Sequence, residues 1–135
     1  MSTATALRFP DVERSAVDLL DELTPDPATV GISLPDDWDR AESPIHLQVG
    51  WDGTFITASR ITANATVRVV AWAATATAAK AAALDAHARL CAHRGGHSIT
   101  LIRPLVGPQP ARDADTGAEL AWFTVRATVR ATPLT

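Results

Sequence analysis

Ala65–His93 reads ATVRVVAWAATATAAKAAALDAHARLCAH, and the change of pattern inside it decides the fold. Thr66, Val67, Val69 and Val70 form a β-branched run that closes on Trp72, the composition of a strand. From Thr75 to His93 the chain turns helical in pattern, with 9 alanines in 19 residues, and it stops at Gly95-Gly96. A strand feeding a thin helix is expected here. Side chains this small let a helix lie close to a sheet, but at roughly 25 cal/mol per Å2 of buried apolar surface each contributes little.

The same leanness holds for the whole chain. Its 135 residues fit one domain, 1–135. Of 63 hydrophobic residues 26 are alanine, so 37 others must supply most of the core. Such a core suits a small monomer or a subunit that completes its burial against neighbours.

Outward from the central stretch, the pattern is regular. Before it, Ile45, Leu47, Val49 and Trp51 alternate with His46, Gln48 and Gly50, a half-buried strand. Asp52-Gly53 reads as a turn, so a hairpin with a projecting tip near Trp51–Ser59 should lead through Arg60 into a strand over Ile61–Ala73. Pro10 opens a helix with Asp11 and Glu13 in its first turn, where acids suit the dipole. Val12, Ala16, Leu19, Leu20 and Leu23 form its apolar stripe, and Pro25 and Pro27 end it. A short strand is expected over Thr29–Leu34, then an acidic turn at Asp36-Asp37-Trp38-Asp39.

After the thin helix, Ala79, Ala83, Leu84, His87, Leu90 and Cys91 should form its packing face, and Gly95 or Gly96 its left-handed cap. Ser98–Leu105 reads as a strand and Val106–Gly117 as a loop. The last strand alternates cleanly: Ala121, Phe123, Val125, Ala127 and Val129 against Trp122, Thr124, Arg126, Thr128 and Arg130. The expected fold is α+β, with a mostly antiparallel sheet of four to five strands, two helices on one face and the order α-β-β-β-α-β-β. The open face would carry Arg126, Arg130, Arg68 and Asn64 beside Trp122, residue types in which binding energy concentrates.

The net charge of −3 argues against general attraction to nucleic acid. The charge is uneven. Residues 1–52 hold 11 acids and 3 bases, and residues 53–135 hold 4 acids and 9 bases, or −8 and +5. Faces of opposite sign would suit head-to-tail contact between identical subunits. One cysteine, Cys91, excludes an intrachain disulfide. Met1–Arg8 lacks a signal-peptide core, and no run approaches the roughly 20 apolar residues of a bilayer span. A soluble protein made in a cytoplasm is expected.

Chemistry is thinly represented. Asp115-Thr116-Gly117-Ala118 matches the aspartic protease signature, in which two aspartates share a proton across a dimer. Its surroundings, Arg112-Asp113-Ala114 before and 17 residues after, fit a polar hairpin loop better. His87 and Cys91 are spaced i, i+4 and, with His93 or His97, could bind a metal or pair as nucleophile and base. The ligand count falls short of a closed zinc site, and a lone cysteine on a packing face is an ordinary small core residue. Asp36, Asp37 and Asp39 lack the glycine and distal glutamate of a calcium hand. No phosphate-binding glycine loop is present.

Several of these segments together resemble the tail terminator proteins of long, flexible-tailed bacteriophages (siphoviruses), especially those infecting actinobacteria. They are Phe9-Pro10-Asp11-Val12-Glu13 with Val17-Asp18-Leu19-Leu20, and Val30-Gly31 through Leu34-Pro35 to Trp38. Ile45–Val49 then leads to a glycine-containing tip, and Val67–Ala73 runs into an alanine-rich helix. Gly107-Pro108 and a final strand ending Thr128-Val129-Arg130 complete the match, which spans nearly the whole chain. The chain departs from that pattern in having His46, Gln48 and Gly50 in place of a more basic strand, an apolar tip, and Trp122-Phe123 where tyrosine is usual.

The resemblance implies a non-enzymatic virion protein without cofactor or metal. It would form a ring, usually hexameric, on the head-proximal end of the tail tube. The ring stops tube polymerisation and joins the head connector, and DNA passes through its lumen without specific binding. Its partners would be copies of itself, the tube protein and the neck proteins, with no membrane. The expected contact residues are Trp51, Asp52 and Phe55 at the tip, Arg68, Trp122, Arg126 and Arg130 on the sheet, and Arg112 and Asp113 in the late loop. A neck or head-closure protein of the same virion is the alternative, with a homodimeric protease using Asp115 a distant third.

Overall fold

The computed structural model describes residues 5–134, apart from the side chain of Thr54. Helix α1 (Val12–Leu23) and helix α2 (Ala76–Ala92) lie on one side of a sheet built from β2 (Thr29–Gly31), β3 (His46–Thr57), β4 (Thr62–Trp72), β5 (Ile99–Arg112) and β6 (Glu119–Arg130). The spatial order is β2-β3-β4-β6-β5. Among the described strand pairs only β2–β3 is parallel. The fold is thus the expected α+β class in the expected order. Two strands absent from the expectation, β1 (Leu7–Arg8) and β7 (Thr132–Pro133), pair as a separate antiparallel ribbon.

The stretch Ala65–His93 forms the centre. Strand β4 pairs with β3 on one side and with β6 along its whole length on the other. Because β6 is antiparallel to both β4 and β5, those two run parallel, and α2 carries the chain across β6 between them. The helix starts where the Thr75 hydroxyl accepts from the Ala78 amide at 3.1 Å. It can lie low over the sheet because its buried stripe is Ala79, Ala83, Ala86 and Leu90, at i, i+4, i+7 and i+11. Val67, Val69, Phe123, Val125 and Val129 fill the sheet side of the core, and Val12, Ala16, Leu19 and Leu20 of α1 close it.

Several local expectations are corrected. Pro10 is outside α1, because the Asp11 carboxylate caps the helix by accepting from the Arg14 amide at 3.1 Å. The strand expected over Thr29–Leu34 ends at Gly31. Leu84 is 49% exposed and Ala86 takes its place, since Leu84 stands one residue, about 100° of helix, off the stripe. The α2 C-cap is His93, in extended conformation. There the Arg94 guanidinium takes the Cys91 and His93 carbonyls at 2.8 and 2.7 Å, so Gly95 and Gly96 turn the chain only after the helix has closed.

The β3–β4 hairpin forms, but its reversal lies at residues 58–61, where the Ser59 hydroxyl accepts from the Ile61 and Thr62 amides. Asp52-Gly53 is not that turn. It belongs to an irregularity in β3 between Trp51 and Phe55, where Gly53 has φ +79°, a conformation glycine adopts without strain. The segment expected to be a loop over Val106–Gly117 is strand as far as Arg112. Its prolines, Pro104, Pro108 and Pro110, are accommodated because β5 is an edge strand and its pairing with β6 shifts register twice between Pro104 and Gln109. At the first shift the Thr124 hydroxyl accepts from the Val106 amide at 3.2 Å, which accounts for a buried threonine on the outer side of β6.

Candidate functional site

The strongest surface feature is the sheet face away from the helices. Alternation along β4 and β6 sends Val67, Val69, Val125 and Val129 into the core and sends Arg68, Trp122, Arg126 and Arg130 the other way. On β5, Arg103 follows buried Ile102 and joins them. The register places Arg103 directly across from Arg126, with Thr66 of β4 on the far side of Arg126. Arg68 lies 5.0 Å from the Trp122 ring centroid and 3.5 Å from the Asp52 carboxylate. Both members of that ion pair are well exposed, so it contributes about 0.2–1 kcal/mol. Polar side chains complete the face. The Trp72 indole donates to Gln48 at 2.9 Å, and the Thr128 hydroxyl donates to Asn64 at 2.9 Å.

The structure therefore places five of the expected contact residues on this one face, Asp52, Arg68, Trp122, Arg126 and Arg130, with contacts among the first three. The other four lie elsewhere. Trp51 and Phe55 point to the helix side, where their rings meet edge to face and Phe55 meets Phe9 in the same way, while the Trp51 amide donates to Glu13 at 3.1 Å. Together with Pro10 and Asp11 they line an open groove at the start of α1. Arg112 and Asp113 sit at the hairpin between β5 and β6, where Arg112 pairs with Glu119 at 2.6 Å. Arg103 was missed. Its alternation with Ile102 was visible, but its place opposite Arg126 depends on strand register.

On the helix side α1 exposes more acids than bases, Arg14 being exposed there too, and Lys80 and Arg89 are exposed on α2. Asp18, Asp21 and Glu22 are exposed on α1, and none forms an ion pair among the described residues. The Asp36–Asp39 segment is not on that side: it is a folded turn beside the outer sheet face, against Trp72. Asp39 accepts from the Ala41 amide at 3.1 Å, the Asp39 amide donates to the Ser43 hydroxyl, and the Trp38 ring stands 5.8 Å from Trp72.

The reactive-looking residues have structural surroundings. Cys91 Sγ lies 3.8 Å from His87 Nε2. Burial raises the thiol pKa and outweighs the opposite pull of Arg94, so the sulfur stays protonated at neutral pH. The His87 ring stands edge-on to buried Phe123 at 5.1 Å. His93 donates to the Ile99 carbonyl at 2.7 Å, and His97 Nδ1 accepts from the Ile99 amide at 3.1 Å. No group of three or more metal-capable side chains gathers among the described residues. Asp115 is exposed on its hairpin. The hydroxyl of Thr116 is directed at Asp113, where with the Thr116 amide it lowers the Asp113 pKa, and Gly117 closes the loop at φ +72°.

No helix among the described residues is long and apolar enough to cross a membrane. No family model matches the chain, and no curated protein matches it.

Proposed function

We propose that this chain is a virion structural protein that assembles as a ring on the head-proximal end of a phage tail tube. There it ends tube polymerisation and offers the surface to which the head connector joins. The reading starts from the resemblance of nearly the whole sequence to tail terminators. The observation that carries it is where the resembling segments fall. Val67–Ala73 belongs to the central strand β4 and its short continuation, and it passes through the Thr75 cap directly into the alanine helix. The final strand ending at Arg130 pairs along all of β4.

A sheet face with exposed Arg68, Arg103, Arg126 and Arg130 and a helix α1 with exposed Asp18, Asp21 and Glu22 also suit a subunit that meets copies of itself. On this reading the protein is non-enzymatic and needs no cofactor. It is assembled in the host cytoplasm, and DNA crosses the ring without specific contact, as the net negative charge favours.

Disruption of the gene in the phage, followed by electron microscopy of the lysate, tests the proposal. Overlong tails that are not joined to filled heads are the expected result. Tails of normal length attached to heads would overturn it. Normal-length tails that fail to join would instead favour a neck protein.

A further inference from the structure

We propose that the arginine face of the sheet docks on the acidic face of α1 of a second copy of this chain, so that copies associate head to tail. This rests on the ring-subunit reading and names the two surfaces that such a ring would use.

Arg103 and Arg126 are cross-strand partners, both exposed. Like charges in direct register destabilise a sheet. Among the described residues neither arginine has an ion pair or a hydrogen bond to relieve the repulsion, and the nearby acid of this face, Asp52, is engaged by Arg68. The acidic face has a related problem with the opposite sign, relieved only at its start by exposed Arg14, four residues before Asp18. Asp18 and Glu22 are an i, i+4 pair of like charge. Asp21 and Glu22 stand in the last turn of α1, which holds no basic residue, so they also oppose the negative end of the helix dipole. Each surface is unfavourable alone, and each supplies what the other lacks.

The spacings agree as well. Directly opposed residues on antiparallel strands have Cβ atoms about 4.5–5.5 Å apart, and i, i+4 residues on a helix about 5–6 Å. A helix laid along the sheet face can therefore set Asp18 and Glu22 against Arg103 and Arg126. The two surfaces lie on opposite sides of one sheet-and-helix layer, so neither can satisfy the other within a chain. Contact between different patches is heterologous and repeats from copy to copy, closing a ring if the rotation allows. A nucleic acid would use the arginines but leave the acidic face both unpaired and repulsive to its phosphates.

Sedimentation velocity over a wide concentration range, at low and high salt, tests the docking. Wild-type protein should self-associate, and more weakly at high salt. Two double variants, Arg103→Glu with Arg126→Glu and Asp18→Arg with Glu22→Arg, should each lose at least about tenfold in self-association. All four positions are exposed, and circular dichroism confirms folding of each variant. Arg103→Gln with Arg126→Gln checks that charge rather than reversal is responsible. An equimolar mixture of the two reversed variants should regain assembly with the two alternating, because one junction is then native and the next is charge-swapped. The chain carrying all four substitutions should regain assembly.

A wild-type protein that stays monomeric throughout, reversed variants that assemble like wild type, or a mixture that stays monomeric would each overturn the docking. So would arginine variants that lose binding to a labelled DNA oligonucleotide while self-association is untouched. The tail-capping role fails separately: assembly through these faces in a protein missing from tail ends leaves the docking intact, and the reverse result leaves the role intact.

Discussion

Nδ1 of His46 lies 2.7 Å from the hydroxyl of Thr29, and this contact ties the short parallel strand β2 to β3. The other ring nitrogen, Nε2, lies 2.8 Å from the Ser33 carbonyl. A carbonyl can only accept, so Nε2 carries the proton and Nδ1 accepts from Thr29. The side chain is 3% exposed. Burial lowers its pKa from the usual 6.5, partly offset by the bond to Ser33. The unfolded chain therefore takes up a proton near 6.5 that the folded chain resists. The stability from neutral His46 is complete above that pH and is lost as pH falls through the lower folded value. Urea titrations from neutral pH down to about 5 should show a falling midpoint, and His46→Gln should flatten part of that fall.

The alanine stripe of α2 makes a sharper test of packing. Ala83 is fully buried against the sheet. Ala83→Leu should lower stability by about 1–3 kcal/mol through overpacking. Leu84→Ala, one residue on but exposed, should change it by less than about 0.5 kcal/mol. Denaturant midpoints for the two variants check both values.

Phe123 is the largest fully buried side chain, set between the sheet and His87. Phe123→Ala should cost about 3–5 kcal/mol, measured in the same urea experiment.

Gly117 has φ +72° in the hairpin that Asp113 and Thr116 organise. Gly117→Ala should destabilise by about 1–2 kcal/mol. Gly107→Ala is the control, because its backbone is not left-handed and no atom lies within 4 Å of the added methyl. A lower melting temperature for Gly117→Ala alone is the expected result.

Cys91 is half-buried and its pKa is raised. Labelling by a disulfide reagent at mildly alkaline pH should be slow in the native protein and fast in urea. Equal rates in both states would contradict the burial described for this thiol.

Much of the fold was legible in the chain. The alternation of β6, the strand-to-helix switch at Thr75 and the α1 stripe are local signals, written at periods of 2.0 and 3.6 residues. The errors came where a distant neighbour decides. Strand β5 continues through three prolines because no described strand pairs with its outer side there, and β6 supplies the hydrogen bonds on the inner side. Leu84 loses its expected place because α2 presents a stripe only as wide as its alanines. Half of the candidate site followed from alternation alone. Trp51 and Phe55 were set apart from it by the β3 irregularity and by contacts to Glu13 and Phe9.

The sequence by itself determined the two helices and the five strands of the main sheet in their order, though not their bounds, the α+β class and the face to which each arginine of β4 and β6 belongs. Those follow from backbone periodicity, which acts over a few residues. Only the tertiary structure decided that β6 enters between β4 and β5, and that Arg103 stands opposite Arg126. The first is strand order and the second strand register, and both are set by packing between segments far apart in the chain, which leaves no trace in either segment alone.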